Sequence, residues 1–148
     1  NFGNSVAVAS NDGLITATIT ASRHGSSSGV SGFTLDGYGV ADGGYRSIQG
    51  NETLHISFSQ AVDIETLHLR QWEGPDEGVA VISYSGGGST SQTISADSNA
   101  FDTNEYVALN AVGVTSLDIS GIYNGKILGF EKTQFFVAGL QGVTASPS

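Results

Sequence analysis

Runs in which apolar and polar residues alternate one for one constrain this chain more than any other feature. "ETLHISFS" sets Leu54, Ile56 and Phe58 on one face and His55 and Ser57 on the other. Successive side chains of a strand point to opposite sides, so a period of two belongs to a half-buried β-strand. A helix repeats its apolar positions every three or four residues instead. "SVAVAS" and "GLITATITAS" repeat the pattern on either side of Asn11-Asp12-Gly13, a tripeptide suited to a tight hairpin because Asn, Asp and Gly tolerate a left-handed backbone. "IETLHLRQW" carries its apolar positions at Ile64, Leu67 and Leu69, with an irregularity near Glu65-Thr66. "GVAVISYS", "TSQTISA", "GKILGFE" and "TQFFVAGLQGV" each read as one strand, and "YVALNAVGVTSLDIS" reads as two.

About nine to eleven short strands result, spaced by roughly 8 to 12 residues. Such spacing predicts an all-β protein: an antiparallel β-sandwich, jelly-roll-like, over residues 1–142, with 143–148 as a C-terminal tail or linker. Composition agrees. The 148 residues suffice for one domain with a sizeable core, and 21 glycines with many Ser and Thr indicate frequent turns. Only five residues are Lys or Arg, and none is Met, so few helix formers are present.

The net charge is −9. Nucleic acid, whose phosphates need a basic surface, is excluded as a partner by that balance, and anionic membranes are disfavoured. The acidity suits a secreted protein, a calcium binder, or simple solubility. With no cysteine, disulfides, thiolate metal sites and cysteine nucleophiles drop out. No apolar run approaches the roughly 18 residues that span a bilayer. Asn1 reads as a boundary inside a longer protein.

Three stretches, taken in order, carry a family resemblance: "LDGYGVADGGYRSIQGNETLHISFSQAVDIETLHL", "AVGVTSLDIS" and "TQFFVAGLQ". The order resembles the extracellular β-sandwich modules of bacterial surface and exported proteins. It is similar to ligand-binding, peptide-binding-type domains of RTX-type adhesins, and the likeness covers roughly residues 33 to 142. The resemblance implies a bacterial cell-surface location and calcium that holds a ligand. The chain lacks the Gly-Asp nonapeptide repeat, so it is not itself a calcium roll.

Candidate site residues cluster in three places. "RQWEGPDEG" joins the only tryptophan, Trp72, to Glu73, Asp76 and Glu77 on a Gly74-Pro75 turn. Hard carboxylate oxygens at that density suit calcium, which takes six to eight oxygen ligands. Trp72 would supply an apolar wall, and Arg70 a bidentate partner for an anionic group. The competing reading is a solvated acidic turn with the indole tucked into a sheet edge. "DSNAFDTNEY" adds Asp97, Asp102 and Glu105, without the spacing of an EF-hand; Asp and Asn are also ordinary turn residues. Asp36, Asp42 and Glu52 form a third candidate calcium set, or merely shape turns. Tyr38 and Tyr45 lie in the same stretch and could line a ligand.

The histidines read as surface residues, with His55 and His68 as neighbours if their two strands pair; a zinc site would need further ligands. No Gly-x-Ser-x-Gly elbow, phosphate loop or His-Glu-x-x-His motif is present. "GGGS" is a turn. Acid pairs such as Glu65 with Glu73 have no fixed separation from which to argue glycoside hydrolysis. The expected function is therefore non-enzymatic: a calcium-dependent ligand-binding module of a bacterial surface adhesin, a monomeric domain of a larger protein. Its partner would be a short peptide, recognised at its terminus, or a glycan on a cell surface. The alternatives are a carbohydrate-binding module attached to a polysaccharide-degrading enzyme, and a structural spacer.

Overall fold

Most of the alternating runs become strands in the computed structural model, which describes residues 5–10, 13–23, 26–28, 52–70, 78–94, 104–122, 126–127, 130–131 and 136–146; "GKILGFE", read as one strand, instead holds two short strands that pair with each other. The strands are β1 (Ser5–Ala9), β2 (Thr16–Arg23), β3 (Ser26–Ser28), β4 (Glu52–Arg70), β5 (Gly78–Tyr84) and β6 (Ser89–Ile94). They continue with β7 (Asn104–Gly121), β8 (Lys126–Ile127), β9 (Phe130–Glu131), β10 (Phe136–Gln141) and β11 (Thr144–Ala145). Nine of them form one open antiparallel sheet ordered β1-β2-β4-β7-β5-β6, in which β3 pairs with β2, and β10 and β11 pair with β4. β8 and β9 make a separate ribbon.

The first hairpin forms where the sequence predicts it. Ala9 faces Thr16, the Ser10 carbonyl accepts the Gly13 N–H at 3.0 Å, and Gly13 adopts φ +75°, a conformation with no steric cost only for glycine. A second tight turn joins β5 to β6. The Tyr84 carbonyl accepts the Gly87 N–H at 3.0 Å, while Gly87 and Gly88 take φ +95° and +82°.

β4 and β7 form the centre. The sequence predicts two strands in each of these regions; the structure has one 19-residue strand and one 18-residue strand. Their pairing runs without a break from Thr53↔Ser120 to Ser57↔Ser116, then shifts three times between Ser57 and Thr66. A bulge inserts a residue without ending the strand, which periodicity alone reads as a gap. The last shift, between Ile64 and Thr66, falls at the expected irregularity, and its effect is visible in burial. Leu54, Ile56, Val62 and Ile64 are buried at even positions; after the shift Leu67 and Leu69 are buried at odd ones. Without that slip of one residue, every later apolar side chain would turn to the opposite face.

In the unbroken half, Ile19, Ile56, Leu117 and Ile82 share one cross-strand row, and all four are buried. Each fully buried side chain of this size contributes about 1.5–3 kcal/mol. The other face of the same strands is paved with short hydroxyl residues. Thr18, Ser57, Ser116, Ser83 and Ser89 occupy one row, and the Thr53 and Ser120 hydroxyls hydrogen-bond at 2.8 Å.

β7 doubles back along its length. Gln92 on β6 lies two strands from Ile119, through Ala80, which places it about 10 Å away. Its Nε2 nevertheless donates to the Ala108 carbonyl at 3.1 Å. On a straight strand Ala108 would be about 36 Å from Ile119, at ~3.3 Å per residue, and no side chain bridges that gap. The bend coincides with Asn110 and Gly113, at φ +45° and +74°. Asp63 on the facing part of β4 supports it, its Oδ1 accepting the Gly113 N–H at 3.1 Å.

Residues 143–148, read from the sequence as a tail or linker, include β11, where Thr144 and Ala145 pair with Asp63 and Val62. The chain reaches this position by turning at Gly142, φ +66°, where a Cβ would come within 2.6 Å of the Glu65 side chain.

Candidate functional site

The bend gathers several strand ends. β4 ends at Arg70 and β7 begins at Asn104, and these two residues are direct partners; Phe136, the first residue of β10, pairs with Arg70 on its other side. Two segments leave this row. Residues 71–77 carry Trp72, Glu73, Asp76 and Glu77, and residues 95–103 carry Asp97 and Asp102. Their far ends are partners as well, for Gly78 faces Ile94. The two acidic segments, separated in sequence by the 17 residues of 78–94, are thus tied to each other at both ends.

Their lengths are consistent with the bend. Gly78 also pairs with Gly121 at the far end of β7. The eight peptide units from Arg70 to Gly78 reach at most about 29 Å, whereas 18 residues of straight strand cover about 60 Å. Only a folded-over β7 lets so short a segment join its two ends.

Of the residues expected to form the site, three lie on described strands. Arg70 is the last residue of β4, Glu105 is the partner of Leu69 beside it, and Glu52 opens β4 opposite Arg23. Arg70 and Glu105 therefore share one root of the acidic segments, while Glu52, at the other end of the same 19-residue strand, precedes Thr53, the partner of Ser120, and so stands near the Gly121–Gly78 pair at the other root. Trp72, Glu73, Asp76, Glu77, Asp97, Asp102, Asp36, Asp42, Tyr38 and Tyr45 lie outside the described residues. Among the described residues no three His, Asp or Glu side chains converge to hold a metal ion, and no helix is long and apolar enough to cross a membrane.

The histidines depart from the sequence reading. His55 and His68 are not paired across strands, because "SFSQAVDIE" continues as one strand and offers no turn residue pair at which to reverse. His55 remains accessible, its Nδ1 held by the Asp118 Oδ1 at 2.5 Å. His68 is buried, at 6 % exposure, although it occupies a polar position of the alternation. Its cross-strand partner is Tyr106, and the rings stack at 4.5 Å between centroids and 8° from parallel. On its other side His68 pairs with Gly139.

Tyr106 escaped the sequence reading altogether, yet it is one of the exposed large side chains, at 56 %. The signal that locates it is the alternation of "EYVAL", which sets Tyr106 and Ala108 opposite Val107. Val107 is half-buried, and Tyr106 and Ala108 are exposed. From Asn104 to Ala111, β7 has β4 on one side and, among the described residues, no strand on the other. No protein-family model, curated protein or solved structure matches the chain.

Proposed function

We propose that the protein is a non-enzymatic, calcium-dependent ligand-binding module of a bacterial surface adhesin, acting outside the cell on a peptide terminus or another cell-surface ligand. One observation carries this reading: the pairs Arg70–Asn104 and Gly78–Ile94 tether two acidic segments to each other at both ends. Glu73, Asp76, Glu77, Asp97 and Asp102 fall between these roots, and Glu105 adjoins one of them. Carboxylates from two tethered segments supply hard oxygens in the number calcium takes. The ligand would complete the ion's shell through a carboxylate or paired hydroxyls, beside Trp72 and Arg70. The third set, Asp36, Asp42 and Glu52, would hold a second, structural ion, with Tyr38 and Tyr45 as further ligand contacts.

The doubled β7 also supports a jelly-roll-like sandwich as the scaffold. Its two layers would be the two halves of the β4–β7 pair, since strands that pass from one layer to the next do so at bulges and bends. Binding residues on segments between layers are a common arrangement.

Thermal unfolding followed through Trp72 fluorescence, in millimolar calcium against EDTA, tests the reading. An ion that binds only the folded chain adds about 2.7 kcal/mol at a hundredfold excess over its dissociation constant, so a calcium-dependent rise in Tm with a changed Trp72 signal is expected. An unchanged Tm rejects the calcium site. The carbohydrate-binding alternative draws support from exposed Tyr106, while the spacer reading predicts no ligand at all.

A further inference from the structure

We infer that Tyr106 is a stacking platform for a sugar ring, and that the ligand of this module is a neutral polysaccharide. The inference rests on the ligand-binding reading above but not on calcium. Tyr106 has two ring faces. One is covered by His68, parallel at 4.5 Å. With that face covered, Tyr106 as a whole is still 56 % exposed, which leaves its other face as the accessible one. The stack also holds the ring still: His68 is itself buried, and a fixed aromatic loses little freedom when a ligand arrives.

The surroundings suit a pyranose. Tyr106 lies on the stretch of β7 that has no described strand on its far side, and the next residue on its face, Ala108, is small and exposed, so it presents no bulky side chain beside the ring. Gln92 brings an amide to the Ala108 carbonyl, two residues along from the ring. A pyranose offers a flat C–H face for the aromatic surface and a rim of hydroxyls for such a polar neighbour. A peptide side chain gains most from a pocket that closes around it, and Tyr106 instead presents an exposed ring where, among the described residues, β7 has no second neighbour. The net charge of −9 repels polyanions, which sets acidic glycans aside.

Affinity electrophoresis of the whole chain through gels containing xylan, mixed-linkage β-glucan, galactomannan or pullulan tests this, alongside a panel of short peptides. Retardation by at least one polysaccharide is expected. Tyr106→Ala should weaken it about tenfold, the upper range for one aromatic contact, with Tm showing that the variant is folded. Tyr106→Phe, which keeps the ring, should bind within about threefold of the native chain. Retardation that persists in EDTA supports the platform while sinking the calcium reading. A calcium-dependent Tm with no retardation by any polysaccharide sinks the platform and leaves the calcium reading standing. Native-strength retardation of a folded Tyr106→Ala, or a peptide that binds through Tyr106 when no polysaccharide does, overturns the assignment.

Discussion

The two halves of the β4–β7 pair are built from the same two strands and obey different rules. Between Thr53 and Ser57 the register is unbroken, four strands contribute to one apolar row, and polar and apolar faces separate cleanly. Beyond Ser57 the register shifts three times, two residues of β7 adopt left-handed backbone, and a histidine at a polar position is buried under an aromatic ring. The regular half contributes most of the wide apolar row. The irregular half turns the strands and brings the roots of the acidic segments and Tyr106 to one end. Regularity stabilises the sheet, and its interruption makes a place where other groups converge.

Truncation in the core is the strongest way to break that contrast. Ile56→Ala removes a fully buried side chain with buried row partners on both sides and should cost about 4 kcal/mol in urea unfolding. Leu67→Ala, flanked by buried Leu140 and half-buried Val107, should cost about 2–3 kcal/mol. Equal losses would mean that the bent half is packed as tightly as the regular one.

Glycine replacements sharpen the comparison at intermediate size. Gly142→Ala combines φ +66° with a Cβ 2.6 Å from Glu65 and should destabilise by about 2 kcal/mol. Gly87→Ala, at φ +95° with nothing within 4 Å, should cost only the backbone penalty, about 1 kcal/mol. Adding Glu65→Ala to Gly142→Ala should recover the difference, as a double-mutant cycle in thermal unfolding would reveal.

The two histidines of β4 give the smallest contrast. His68→Ala loses a buried stacked ring and should cost about 1.5–2 kcal/mol. His55→Ala loses a half-exposed pair with Asp118, 44 % and 33 % accessible, and should stay below about 1 kcal/mol. Denaturant midpoints of the two variants measure this directly, and a reversal of their order would show that the His55–Asp118 pair, not the stack, holds the sheet centre.

The regular half was legible in the sequence and the irregular half was not, for one reason. A period of two reports which face each residue occupies as long as nothing is inserted. Asn11-Asp12-Gly13 and the alternation of "ETLHISFS" therefore lead straight to the first hairpin and to the buried faces. A bulge resets the period, so "SFSQAVDIE" resembled a junction between strands instead of a bend within one. His68 read as a surface residue because its cover, Tyr106, is supplied by β7 and not by its own strand. The acids of 71–77 and 95–103 are plain in the sequence, but their shared roots depend on the pairings Arg70–Asn104 and Gly78–Ile94, which no local pattern encodes.

The central pair also has a consequence for how the chain reaches its native state. Thr53 and Ser120 meet across 67 positions of sequence, so the middle of the sheet closes a long loop before it gains any contact, an entropic cost that grows with loop length. The hairpins β1–β2 and β5–β6 close over a few residues each. The outer strands can therefore fold early and cheaply, while their shared centre waits on the closure of much longer loops, 34 positions at the nearest pair, Arg70 and Asn104. Non-local pairing of this kind places folding in the range of milliseconds to seconds, and during that interval the apolar rows of β4 and β7 remain open to solvent.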